Sequence, residues 1–183
     1  MGRASAEAAQ TAEDFSCRFA QKADQFIGQR VGGAQRSAGA AAYSRNGYHF
    51  DVDAYGRTKD IQGTISRSAP NARSRTMQRR AGLPDRRPNE DGGHFIAPRF
   101  NGPAEAFNHF AQDANFNRGA YRALEDQWDK AAGAGKKVDV RIMVFYEGQS
   151  KRPAQIVVSY AINGEVRRRT FPNERQEKLN AKR

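Results

Sequence analysis

The sequence predicts an α+β fold with a mainly antiparallel sheet, and three observations carry that prediction. Val138–Tyr146 alternates, with Val138, Val140, Ile142 and Val144 on one face of a strand. Gln155–Ile162 and Glu165–Phe171 flank Asn163-Gly164, the pair that suits a two-residue hairpin turn. Tyr121, Leu124, Trp128 and Ala131 recur at helical spacing, which predicts a helix from Arg118 to about Ala132 that Gly133 and Gly135 stop.

The remaining elements follow in chain order. Residues 4–30 read as an N-terminal helix, with Phe15, Phe19, Ala23, Phe26 and Ile27 on one stripe. Gly32–Ala42 is rich in Gly, Ala and Ser and reads as a linker. The chain therefore divides into a helix and linker over 1–42 and a second domain over 43–183. In that domain Tyr48–Asp53 alternates as a strand, Ala54–Arg57 turns, and Lys59–Ser66 returns. Residues 67–90 carry Arg67, Arg73, Arg75, Arg79, Arg80, Arg86 and Arg87 among prolines, and read as a basic loop. Gly93–Pro98 reads as a short strand, and Asn101-Gly102-Pro103 turns the chain. The last dozen residues are polar, which predicts fraying.

Composition narrows the classes of function. No run of about 18 apolar residues is present, so no transmembrane helix is predicted. The N-terminus holds Glu7, Glu13 and Asp14 and lacks the apolar core of a signal peptide. One cysteine, Cys17, leaves no internal disulfide and no Cys-rich zinc site within the 183 residues. The formal charge is +11 and the pI about 10.2, an excess that attracts polyanions and nucleic acid above all. The arginines of 67–90 suit phosphate, because a guanidinium offers a planar fork of donors.

One stretch, Asp91–Glu125, concentrates residues that carry chemistry. His94 follows Gly92-Gly93, which lets the backbone bend tightly and leaves room for a substrate. A neutral imidazole can take a proton from water near neutral pH. Asn117 offers a hard amide oxygen, suited to a Mg²⁺ ion that keeps most of its waters. Asn is also a common helix cap, and the two roles can coexist at Asn117. Glu125 lies about 12 Å along a helix axis from Asn117 if every residue between them is helical. Either the helix starts after Asn117, or Glu125 reaches a metal through water, the reading preferred here.

This stretch resembles the active site of the DNA/RNA non-specific endonucleases, which have the ββα-metal fold. Asp91, Gly93 and His94 match that family's Asp-Arg-Gly-His motif, with Gly92 in place of the arginine. Asn108, Asn117, Gly119, Leu124 and Glu125 match its later positions in order and spacing. The Asp-Gly-Gly-His-Phe-Ile-Ala form, with Gly102-Pro103 and Lys151-Arg152-Pro153, is similar to the branch found in bacterial secreted nucleases and polymorphic toxins. The likeness spans roughly residues 45–173.

The resemblance implies a ββα-metal nuclease core that hydrolyses DNA or RNA without sequence preference. It implies His94 as general base, Asn117 as the sole direct protein ligand of Mg²⁺ (Mn²⁺ substituting), and Glu125 on metal-bound water. Asn108 would position phosphate or the His94 loop, and Asp91 and Gly93 would brace the hairpin. Arg99, Arg79 and Arg80 are the candidates to steady the phosphate; Arg79, Arg80 and Arg118 are assigned to substrate binding. The expected setting is a secreted or delivered toxin domain whose producer carries an acidic immunity protein. The competing expectations are a basic nucleic-acid binder without catalysis and a protein-interaction module worked by residues 1–30.

Overall fold

The computed structural model describes residues 39–67 and 73–175. The helix expected over 4–30 lies outside the described residues. Among the described residues, eight strands form two sheets. Six of them, in the order β1-β2-β3-β6-β7-β8, make one sheet that is antiparallel at every step. These are β1 (Ala41–Arg45), β2 (Tyr48–Val52), β3 (Thr58–Thr64), β6 (Val138–Tyr146), β7 (Pro153–Ile162) and β8 (Glu165–Pro172). The other two, β4 (Glu90–His94) and β5 (His109–Asp113), pair as a separate antiparallel hairpin.

The six-stranded sheet is built by alternation. Val138, Val140, Ile142 and Val144 are buried, and the residues between them are less so. They join Ile61 of β3 and Ile156, Val158 and Tyr160 of β7 in one core. Two Asn-Gly turns close hairpins at its ends. Asn163 and Gly164 have φ of 49° and 86°, and Asn46 and Gly47 have φ of 54° and 84°. Both pairs of positive φ suit the tight turn that matches strand twist. The second hairpin departs from expectation: Ala41 and Ala42, read as the end of a linker, lie in β1.

A helix covers part of this core. It runs without a break through an α-helical turn (Ala114–Phe116), a π-helical turn (Asn117–Tyr121) and an α-helix (Arg122–Gly133), here together called α2. The expected stripe of Tyr121, Leu124, Trp128 and Ala131 is buried. Trp128 meets Tyr160 edge-on, with ring centroids 5.9 Å apart. The start differs from expectation, because Asp113 caps the helix through bonds from the Asn115 and Phe116 amides at 2.9 and 3.0 Å. Asn117 therefore stands inside the helix and does not cap it.

The basic segment is not a plain loop. Ser74 caps a short helix, α1 (Arg75–Arg80), accepting from the Met77 amide at 3.3 Å. Arg86 ties this helix to β4, donating to Gln78 O at 2.6 Å and to Glu90 O at 2.5 Å. The strand expected at Gly93–Pro98 is shifted: β4 ends at His94, and Pro98–Phe100 forms a 3₁₀ turn.

A buried polar cluster fixes the hairpin to the large sheet. Arg152, just before β7, meets Glu90 of β4 at 2.6 Å and also donates to Asn173 O. Asn173 accepts from the Asp113 amide at 2.9 Å and donates to Ala111 O and Pro153 O, each at 2.8 Å. Both side chains of the Arg152–Glu90 pair are more than nine-tenths buried. Removing one partner of such a pair strands the other charge in a dry interior.

Candidate active site

The hairpin and α2 meet along three polar ties spaced alike on both elements. Asp91 accepts from Asn117 Nδ2 at 2.9 Å, and from Arg118 Nε and Nη2 at 3.0 and 2.8 Å. Tyr121 Oη donates to Phe95 O at 2.8 Å. Arg99 Nη2 meets Glu125 Oε2 at 3.4 Å and Asp126 Oδ1 at 2.8 Å. Residues 91, 95 and 99 thus face residues 117, 121 and 125, which a helix of about 3.6 residues per turn places on one stripe. His94 lies between the first and second ties.

The two glycines before His94 act differently from expectation. They occupy a regular ladder, paired with Ala111 and Phe110, and neither has a positive φ. A side chain at Gly92 would collide with the Gln78 backbone of α1, and one at Gly93 with the Gln112 side chain. The space they leave is filled by protein. Gln112 is fully buried, and both of its amide atoms lack a hydrogen-bond partner.

Asn108 is also fully buried. Its Oδ1 accepts from the Ile96 amide at 2.9 Å, and its Nδ2 donates to Ile96 O at 2.9 Å and Pro103 O at 2.8 Å. All its polar atoms are engaged by the loop after His94. Of its two expected roles, positioning that loop is the one the geometry permits; contact with phosphate is not.

The ionisable groups are displaced from their ordinary values. Burial is the largest cause at His94 and, with His109 and Arg73 nearby, lowers its pKa to about 3. The ring is therefore neutral through the physiological range, and it makes no hydrogen bond among the described residues. Burial raises Glu125 to about 7; Asp126 adds to the rise and Arg99 opposes it. Burial acts to raise Asp91, but the bonds from Arg118 and Asn117 and the charges of Arg118 and Arg86 outweigh it, so the net shift is downward.

The arginines divide into bound and available. Arg99 is engaged by two carboxylates, Arg118 by Asp91, Arg67 by Asp129 and Arg87 by Glu174. Arg79 and Arg80 lie exposed at the end of α1. Arg73, named in the sequence only as part of the basic run, is the arginine whose charge reaches His94. Neither it nor Gln112 carries a motif that would have singled it out.

For a metal, the donor set is small. Among the described residues no group of three or more His, Cys, Asp and Glu side chains gathers to hold an ion. The Asn117 amide does fit a hard cation. Its Nδ2 is spent on Asp91, which fixes the amide's orientation, and among the described residues its Oδ1 accepts no hydrogen bond. An ion retained by one amide oxygen, with water and phosphate completing the shell, suits Mg²⁺.

The family model for the DNA/RNA non-specific endonuclease matches residues 39–164, more than half of the chain and all of the hairpin and α2. The chain belongs to that family. The chain is 34% identical over 134 residues to "Type VII secretion system protein EssD" of Staphylococcus aureus, in strains USA300 and Newman alike. That match covers 70% of this chain and 22% of the relative, so the match spans about a fifth of the longer protein.

Its fold is also that of NucA from Streptococcus agalactiae. The metal-free NucA structure has a TM-score of 0.54 at 18% identity, covering 73% of this chain and 71% of that one. The magnesium-bound NucA structure has a TM-score of 0.53 at 18% identity, covering 78% and 77%. The mixed α+β fold is common to this chain and those structures. No helix among the described residues is long and apolar enough to cross a membrane.

Proposed function

We propose that this nuclease hydrolyses DNA phosphodiesters, and RNA in second place, with Mg²⁺ as cofactor and Mn²⁺ able to substitute. The observation that supports the reading is the register of the three ties, which joins Asp91, Phe95 and Arg99, the residues on either side of His94 in the chain, to the stripe of Asn117, Tyr121 and Glu125. The neutral imidazole of His94 accepts a proton from water as that water attacks phosphorus. The 3′ oxygen leaves in line, and the product carries a 5′-phosphate. Asn117 is the protein ligand for the cation, and Glu125 holds water in its shell. When bound, the cation neutralises charge that builds on the phosphate oxygens.

Arg73 takes the phosphate-steadying role in preference to Arg99. The charge of Arg73 reaches the base, whereas Arg99 is already held by Asp126 and Glu125. Arg79 and Arg80 extend the cationic surface from the end of α1. Asn108 acts through the His94 loop, and Asp91 acts by orienting the Asn117 amide.

The biological setting proposed is a secreted or delivered antibacterial toxin domain. The likeness to a protein named for the type VII secretion system supports it. A charge of +11 favours an acidic immunity protein as its partner. The test of the activity is digestion of plasmid and of total RNA side by side, with Mg²⁺, Mn²⁺ or chelator. Cleavage that needs the metal and disappears in His94→Ala is expected; wild-type cleavage by His94→Ala removes the proposed base.

A further inference from the structure

We propose that His109 is the positioning residue for His94: it packs its ring against that of the base and stands between the base and a cavity beside α1. The inference rests on the reading of His94 as general base. The two histidines are the last cross-strand pair of the β4–β5 hairpin. Their ring centroids are 4.5 Å apart, with planes inclined at 52°. His109 is only 7% exposed.

The bonding of His109 fixes which nitrogen carries its proton. Nδ1 lies 2.8 Å from Glu105 O, and a carbonyl only accepts, so Nδ1 is the donor. In the neutral ring Nε2 then holds a lone pair, and that atom is buried without a partner. The ring is thus anchored at one end and rests against His94 without competing for its nitrogens.

A cavity lies against His109. It has a volume of about 330 Å³ and is lined by Met77, Arg80, Leu83, His109, Tyr146 and Lys151, among others; His94 does not line it. A side chain shorter than His109 would open a water path from this space to the base. Water there would ease protonation of His94, because burial is what chiefly keeps its ring neutral.

The charges facing the pair work in the same direction. Arg73 acts on His94, and Arg57, Arg80 and Lys151 line the cavity beside His109. Glu105 alone opposes them at His109, and burial outweighs it. A proton on His109 would set a cation against the base, so the pair is built to remain neutral.

The test follows the imidazole directly. The chain has three histidines, so single-histidine variants assign the ring proton signals of His94, His109 and the exposed His49. In the wild type His94 is expected to titrate well below the ordinary value near 6.5. In His109→Ala its midpoint should rise by about one unit or more, since restored hydration favours the charged ring. The same variant should lose roughly 10- to 10²-fold in kcat with little change in KM, as misplaced catalytic groups do. His109→Phe keeps the ring and should resemble the wild type in both readouts.

If His109→Ala fails to melt cooperatively, His109→Val replaces it, and a smaller rise is expected. An unchanged His94 midpoint in a folded truncation overturns the inference, as does a Phe variant that behaves like Ala. His94→Ala is measured alongside. If it stays active, the reading of the base fails; if it is dead while the His109 truncations match the wild type, only the role of His109 fails.

Discussion

The six-stranded sheet and the hairpin–α2 unit are held by different physics. In β6 and β7 the contacts are apolar and interchangeable: Ile142, Val144, Ile156 and Val158 fill one continuous core. Between the hairpin and α2 the apolar core is supplemented by polar, specific ties, one set per helical turn at Asp91, Phe95 and Arg99. Burial is non-directional and supplies stability in proportion to area. Hydrogen bonds add little net stability but fix distance and orientation. Substitutions in the sheet should therefore cost stability, and substitutions along the ties should cost activity.

The largest expected effect lies on the polar side. His94→Ala should lower kcat by ~10²–10⁴-fold, the usual worth of a general base. Its melting curve should stay close to wild type near neutral pH, since among the described residues the ring makes no hydrogen bond. Paired nicking assays and thermal melts check both halves.

Arg152→Ala tests the joint between the two regions. It leaves Glu90 buried and uncompensated, which should cost ~3–5 kcal/mol in denaturant unfolding. Ile142→Ala, deep in the sheet, should cost ~2–5 kcal/mol while the folded fraction cuts at the wild-type rate. A large loss of kcat in the folded Ile142 variant would break the division. Tyr121→Phe removes the middle tie and leaves Phe95 O without its donor, at ~1–3 kcal/mol. Its kcat should fall more than its stability implies, because His94 adjoins that carbonyl.

The smallest effect is in pH. The folded pKa of His94 lies below its unfolded value, so the unfolded chain binds more protons between the two. The stability that the neutral ring contributes is whole above about 6.5 and is lost as pH falls toward about 3. Glu125 works the other way: its raised pKa gives stability below about 4.5 that is lost as pH rises through about 7. Melting temperature against pH should lose part of its acid limb in His94→Ala and part of its neutral decline in Glu125→Gln.

The same contrast explains what could be read from the chain. β6, β7 and β8 and the α2 stripe were legible because one face is buried and the pattern alternates or recurs. β4 was not, since Glu90-Asp91-Gly92-Gly93-His94 offers no apolar alternation; its glycines are shaped by the Gln78 backbone and the Gln112 side chain. β5 was hidden because four of its five residues are buried, which erases alternation. The β1–β2 hairpin carries a signal in Asn46-Gly47, shortly after the Ala-rich segment that reads as a linker. His94, Asn117 and Glu125 are proposed from spacing that matches a family motif. His109, Gln112 and Arg73 carry no such spacing, and only the packing around the hairpin brings them to the site.

The central claim is that a single helix amide holds the metal that a neighbouring imidazole works beside. The direct test is Mg²⁺ affinity, by calorimetry, in wild type, Asn117→Ala and His94→Ala, each also assayed on plasmid. Loss of metal binding in Asn117→Ala, with binding kept and cleavage lost in His94→Ala, is the result expected. Wild-type Mg²⁺ affinity in a folded Asn117→Ala variant would contradict the account.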